Sequence, residues 1–158
     1  MKKINYSKLI FSILICEIAG ILGSIFTVNS INSWYQFLNK PVFNPPSWIF
    51  GPVWTLLYLM MGVSFYIIWN KESEKVKYTK EKIIFAIQLV LNIAWSILFF
   101  GFQSPVLALI EIVFLWIAIW INIFFFYKIS KTSGLLLIPY VFWVSFATVL
   151  NYYLYILN

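Results

Sequence analysis

The 158-residue chain contains no arginine, no aspartate and no histidine, so its charge rests entirely on lysine and glutamate. Without histidine there is no imidazole base for a Ser or Cys nucleophile and no imidazole ligand for a metal. The lone cysteine, Cys16, lies in an apolar run, which excludes an intrachain disulfide and a Cys/His metal cluster. The six glycines have no phosphate-loop spacing. Conventional enzyme chemistry therefore has little to work with, and no catalytic residue is certain. Charge is scarce too: 10% of residues are charged and 63% apolar, with a mean hydropathy of +0.90. Water-soluble domains are about a quarter charged and roughly half apolar. A fold of this length cannot hide that much apolar surface, so its solvent is a bilayer.

What is abundant is hydrophobic length. Five runs approach the ~20 residues needed to cross ~30 Å of hydrocarbon, at about 9–28, 47–69, 83–102, 106–127 and 135–157. Backbone groups in lipid must be satisfied internally, and the ~10-residue alternation of a β-barrel is missing. The expectation is an all-α integral membrane protein: one domain over 1–158, a five-transmembrane-helix bundle with a long first loop at 29–46. The first run follows "MKKINYSK" as a signal peptide would. It is too long for an h-region, carries Glu17 at its centre and lacks an A-x-A-like exit, so a retained span is expected.

Lysine placement gives an orientation. Lys2, Lys3, Lys8, the five lysines of "KESEKVKYTKEK", Lys128 and Lys131 share one face, and only Lys40 lies on the other. Positive charge stays cytoplasmic, which predicts an inside N-terminus, an outside C-terminus and an outward first loop. The net charge of +6 is thus a topology signal and an attraction to anionic lipid, with no nucleic acid implied.

Several residues are ones that lipid alone would not choose. Glu17 and Glu111 lie within spans, where a charge costs ~3 kcal/mol on insertion scales. Gln88, Asn92, Trp95 and Phe99 share one face of the third span by helical spacing; Glu111, Ala118 and Asn122 share one of the fourth. Trp143, Ala147 and Asn151 follow the same rule in the fifth. Trp54, Tyr58, Met61, Phe65 and Trp69 form a stripe on the second, which bundle packing alone would also explain. Trp69, Trp116 and Trp120 fit an interfacial belt. Trp54, Trp95 and Trp143 differ in having polar neighbours on inward faces, the outline of a largely aromatic ligand site. On the first span Ser12, Cys16, Gly20 and Ser24, with Ala19 and Gly23, give small-xxx-small spacing, for packing within the bundle or for a homodimer seam.

The first loop and the start of the second span, "WYQFLNKPVFNPPSWIFGPVW", hold three of eight tryptophans and four of six prolines. Prolines lower the entropy cost of fixing a loop. A stiff lid of Trp34, Tyr35, Phe43 and Trp48 over the pocket is one reading; a loop resting at the interface is the other.

This stretch, together with "QLVLNIAWSILFFG" and "LLLIPYVFWVSFATVLNYYLY", resembles the translocator protein family, the tryptophan-rich sensory protein or peripheral benzodiazepine receptor group. The likeness runs from about Trp34 to Tyr155. It implies a five-helix bundle that binds porphyrins, and synthetic isoquinoline or benzodiazepine-type ligands, beneath the first loop. It also implies a part in tetrapyrrole or stress regulation. Trp54 and Trp143 look like the pair implicated in light-dependent protoporphyrin breakdown, the only catalytic candidates. Implied pocket positions are Trp34, Tyr35 and Pro45, then Asn92 and Trp95, then Ala147 and Leu150; Glu111 falls where relatives often carry an acid. The chain departs from animal relatives in three places. "LNYYLYILN" lacks the basic residue of the cholesterol motif, Leu107 replaces a tryptophan, and the third span lacks a small-xxx-small dimer seam.

With no histidine and with Cys16 remote, haem would lack its usual axial ligands. Metal-free protoporphyrin IX is the expected ligand, with no metal and no required cofactor, flanked by Trp54 and Trp143 and met by Tyr58 of the same stripe. Lys40 or backbone donors at the start of the second span are candidates for its propionates. Photooxidation of the porphyrin, its transport, and proton-coupled export through Glu17 are the alternatives, in a plasma membrane.

Overall fold

The computed structural model describes residues 4–73 and 75–158, so Lys2 and Lys3 of the topology count lie outside the described residues. The helices are α1 (Tyr6–Ile31), α2 (Ser47–Lys71), α3 (Thr79–Ser96), α4 (Pro105–Ile129), α5 (Lys131–Leu136) and α6 (Ile138–Ile156). A π-helical turn, Ile97–Gly101, continues α3, and a 3₁₀ turn, Tyr35–Phe37, lies in the first loop. Five of these segments, with α5 and α6 counted as one, are long and apolar enough to cross a membrane. The architecture is all-helical. The first span extends three residues beyond the expected range at each end, and the third starts at Thr79 rather than 83. Hydropathy misses such ends because polar residues enter the last turns.

Local chemistry sets these ends. The Asn5 side chain accepts the Lys8 N–H at 3.0 Å and caps α1. Ser104 accepts the Leu107 N–H and is followed by Pro105, whose missing donor costs nothing in a first turn. At the lysine-rich end, α2 and α4 finish with free carbonyls and a negative dipole end. Lys8 Nζ donates to Trp69 O at 3.3 Å and Lys71 Nζ to Ile129 O at 2.7 Å. Cations are the favoured partners of helix C-termini. Nearby, Lys82 pairs with Glu72 at 2.8 Å. Partial burial raises the Glu72 carboxyl, but the Lys82 hydrogen bond, the Tyr78 N–H and the charges of Lys82 and Lys77 outweigh it and hold it below its usual value. Pro139 in the first turn of α6 separates α5 from α6 within the fifth span.

α1 packs on α2 and α3, α3 on α4, and α4 on both halves of the fifth span, while α2 meets that span through α5. The small residues of α1 make its close approaches possible: Ser12, Cys16, Ala19 and Gly23 are all buried. A Cβ on Gly62 of α2 would stand 2.7 Å from the Ile13 Cα, so the backbones of α1 and α2 are nearly in contact. The α1 stripe is thus used inside the bundle, although Ser24 at its end is exposed. Ser64 of α2 and Ser133 of α5 clasp through reciprocal 2.8 Å bonds to each other's carbonyls. Ile10, Leu14, Ile18, Ile21 and Phe124 point outward, as a lipid-facing surface requires.

Candidate functional site

Because α2 joins the fifth span at the lysine-rich end, a gap is left between α2 and α6 toward the loop. Aromatic rings line it. Trp54 and Phe50 come from α2, Trp95 from α3, Phe99 and Phe100 from the π turn, and Trp143 from α6. Ala147, Leu150 and Leu154 complete the α6 wall, Thr27 and Ile31 the α1 wall, and Tyr35 the roof. The enclosed volume is about 70 Å³, inside a larger, loosely bounded space of about 610 Å³. Ligand sites span ~300–1,000 Å³, so in this conformation the side chains largely fill their own pocket.

Few polar groups reach this space. Trp95 Nε1 donates to Asn151 Oδ1 at 3.1 Å, and Asn151 Nδ2 donates to Pro105 O at 2.8 Å, which ties α3 and α6 to the start of α4. Trp143 Nε1 is buried and has no partner among the described residues. An unpaired indole donor in an apolar wall leaves a hydrogen bond on offer. Trp95 and Phe99 stack at 5.2 Å, and Phe50 meets Trp143 edge-on at 6.2 Å.

The roof is held from three sides. The buried Tyr35 ring packs against both Phe100 and Phe99, and its hydroxyl donates to Asn44 Oδ1 at 2.8 Å. Burial pushes that hydroxyl up to about 12, against the Asn44 bond, which lowers it. Lys40 Nζ donates to the Gln36 and Leu38 carbonyls at 3.0 Å and sits 4.9 Å from the Tyr35 ring centre. At the chain's far end, Asn39 N–H donates to Asn158 Oδ1 at 2.9 Å and Asn158 Nδ2 returns a bond to Asn39 O at 3.0 Å. Lys40 is therefore committed to the loop rather than extended toward the cavity.

Of the residues expected at the site, Tyr35, Trp54, Trp95, Trp143, Ala147 and Leu150 line the cavity. Trp34 lies outside the lining and packs edge-on against Phe99 at 5.5 Å. Pro45 stays in the loop, its carbonyl accepting from Asn44. Tyr58 and Asn92 sit beneath the cavity: Tyr58 O–H donates to Asn92 Oδ1, and Asn92 Nδ2 donates to Tyr140 O at 2.6 Å. This buried bridge joins α2, α3 and α6 below the pocket floor. Glu111 is only 6% exposed and its carboxylate oxygens have no partner among the described residues. It does not reach the cavity, because α4 contributes no wall to it. Phe43 packs on Phe146 and Tyr153, but Trp48 is 73% exposed and takes no part in the roof. The lid reading holds for Tyr35, not for Trp48. Trp116 and Trp120 face outward, with Trp116 Nε1 bonded to Ser145.

Sequence reasoning missed Phe50, Thr27, Ile31, Phe100 and Leu154. Phe50 precedes Trp54 by one helical turn, and Thr27 and Ile31 are likewise four apart, so both pairs carried the spacing signal.

Fold and cavity together define an integral membrane helical bundle with an aromatic pocket under a braced loop. The sequence model of the TspO/MBR family matches residues 12–157. The chain is 46% identical to the tryptophan-rich protein TspO of Archaeoglobus fulgidus, over 98% of this chain and 99% of that one. It is 35% identical to the translocator protein of Bos taurus over 88% of this chain and 83% of the relative. The tryptophan-rich sensory protein of Cereibacter sphaeroides is 32% identical over 77% of this chain and 74% of its own. The chain belongs to the TspO/MBR family.

Proposed function

We propose that the protein is a sensor-like membrane receptor that binds metal-free protoporphyrin IX, or a related flat hydrophobic ligand, in this cavity, with a role in tetrapyrrole or stress regulation. The observation that carries the reading is the convergence of Trp54, Trp95 and Trp143, from three different helices, on one cavity. Stacking on such rings contributes ~0.5–1.5 kcal/mol per good aromatic pair beyond area burial. The lining offers no histidine, cysteine or methionine, so a metal-free macrocycle suits it better than haem. Because the enclosed volume is so small, entry requires rings and roof to move, which slows association. In a plasma membrane, the lysine distribution favours a cytoplasmic N-terminus and an outward roof, so ligand arrives from the outer side.

The test is a titration of detergent-purified protein with protoporphyrin IX and with haem, read by tryptophan quenching. The Trp54→Leu, Trp143→Leu double variant should weaken porphyrin binding by about tenfold, one to two lost stacking contributions. Unchanged affinity would remove the assigned site. A second reading, light-dependent porphyrin breakdown, rests on both Trp54 and Trp143 facing the cavity. Under illumination it predicts porphyrin bleaching that the double variant loses.

A further inference from the structure

A second hollow lies between α1 and α2, on the far side of Trp54 from the cavity. Its volume is about 310 Å³, at the lower end of the ~300–1,000 Å³ range for small-molecule sites. Glu17 marks its deep end, near the middle of α1, and Ile31 and Ser47 mark its mouth beside the loop. Ile31 lies fourteen residues beyond Glu17 on α1, about 21 Å of groove.

The chemistry of this groove is one-sided. The carboxylate of Glu17 forms no ion pair and no hydrogen bond among the described residues. Three of the hydroxyls along the groove are committed as donors, Ser24 to Ile21 O at 2.7 Å, Thr27 to Gly23 O at 3.4 Å and Thr55 to Gly51 O at 3.0 Å, with Ser47 at the mouth the exception. A hydroxyl whose proton is spent in this way presents only acceptor lone pairs. No lysine among the described residues lines the groove. Phe50, Trp54 and Tyr58 contribute ring surfaces, whose negative faces attract cations. An unpaired carboxylate, acceptor-only hydroxyls and aromatic faces all select the same kind of occupant.

We propose that the α1–α2 groove is a separate binding site for hydrophobic aromatic cations, with Glu17 as the counter-charge. The site does not depend on the porphyrin reading, since Glu17 lies outside the cavity lining. Thr27, Ile31, Phe50 and Trp54 line both hollows, so a bound cation presses on a wall shared with the neighbouring pocket.

The experiment is calorimetric titration of the detergent-purified full chain with tetraphenylphosphonium and with triphenylphosphine oxide, an uncharged analogue. Wild type should bind the cation saturably and roughly tenfold or more tighter than the oxide. Glu17→Gln should remove that preference while leaving the weak oxide signal and the porphyrin quenching in place. Thr55→Lys, at an exposed position, puts a competing positive charge in the groove and should abolish cation binding while sparing the oxide. It also serves if Glu17→Gln does not fold. Equal binding of the two probes by wild type, or cation affinity unchanged in either folded variant, would overturn the proposal. So would parallel loss of both probes in Glu17→Gln, which would mark a structural rather than an electrostatic role.

Discussion

Replacing Gly62 by alanine adds one carbon at the close backbone seam between α1 and α2. That carbon would stand 2.7 Å from Ile13 Cα, 3.0 Å from Ser12 O and 3.1 Å from Ile13 N. All three are backbone atoms, so no rotamer change relieves the clash. Carbon–carbon contacts settle near 3.5 Å or more, and α1 must therefore retreat from α2 by about 0.8 Å. A gap of that size forfeits about a quarter to a half of the dispersion energy of the contacts it opens. Overpacking costs about 1–3 kcal/mol, and alanine's helix propensity returns at most ~1 kcal/mol. Gly62→Ala should thus destabilise by roughly 1–2 kcal/mol, since helix association in lipid leans on close packing. Gly51, on the same helix, has open space around its added carbon, and Gly51→Ala should be neutral or stabilising. Unfolding in mixed micelles, followed by intrinsic fluorescence, compares the two. Equal midpoints for both variants would refute the account of the α1–α2 seam.

Two other outcomes are expected. Asn92→Leu leaves the Tyr58 and Tyr140 hydroxyls without their bridge, a loss of about 1–3 kcal/mol in the same unfolding assay. Asn92 is absent from the cavity lining, so porphyrin affinity should fall by less than stability does. Glu72→Gln removes the pair with Lys82. The Glu72 carboxyl is held below its ordinary value when folded, so its contribution is present above the unfolded value near ~4.3 and lost as pH falls through the lower folded value. Wild type should exceed Glu72→Gln in stability at neutral pH and converge with it in acid, as thermal unfolding across a pH series will show.

The spans were legible because hydrocarbon imposes a length and a composition that hydropathy reads directly. The inward faces of α3 and α6 were legible for a similar reason: Asn92, Trp95, Trp143 and Asn151 recur at helical spacing. Depth was not. Tyr58 and Trp54 share a stripe, yet one turn of helix puts Trp54 in the cavity wall and Tyr58 beneath it, a matter of where neighbouring helices diverge. Glu111 was misplaced because spacing reveals a face but not which helix walls the cavity. Trp48 reads as lid by composition, whereas the start of α2 turns it outward. Lys40 reads as a free cation, and the carbonyls that engage it become visible only in the folded loop.

The widened turn at Ile97–Gly101 has a further consequence. Phe102 N–H reaches back five residues to Ile97 O at 2.8 Å, and consecutive residues Phe99 and Phe100 both end up buried. The extra residue in this turn shifts the bearing of every side chain after Ile97 relative to ordinary α winding, and with it where the Phe99 and Phe100 rings point. The carbonyl of Phe100 is taken up by Ser30 Oγ at 2.7 Å, which pins the broad winding to the first span. Ceiling shape is therefore a matter of helical pitch as much as of side-chain identity. Excising a single residue from this coil would retune the chamber while every tryptophan stayed in place.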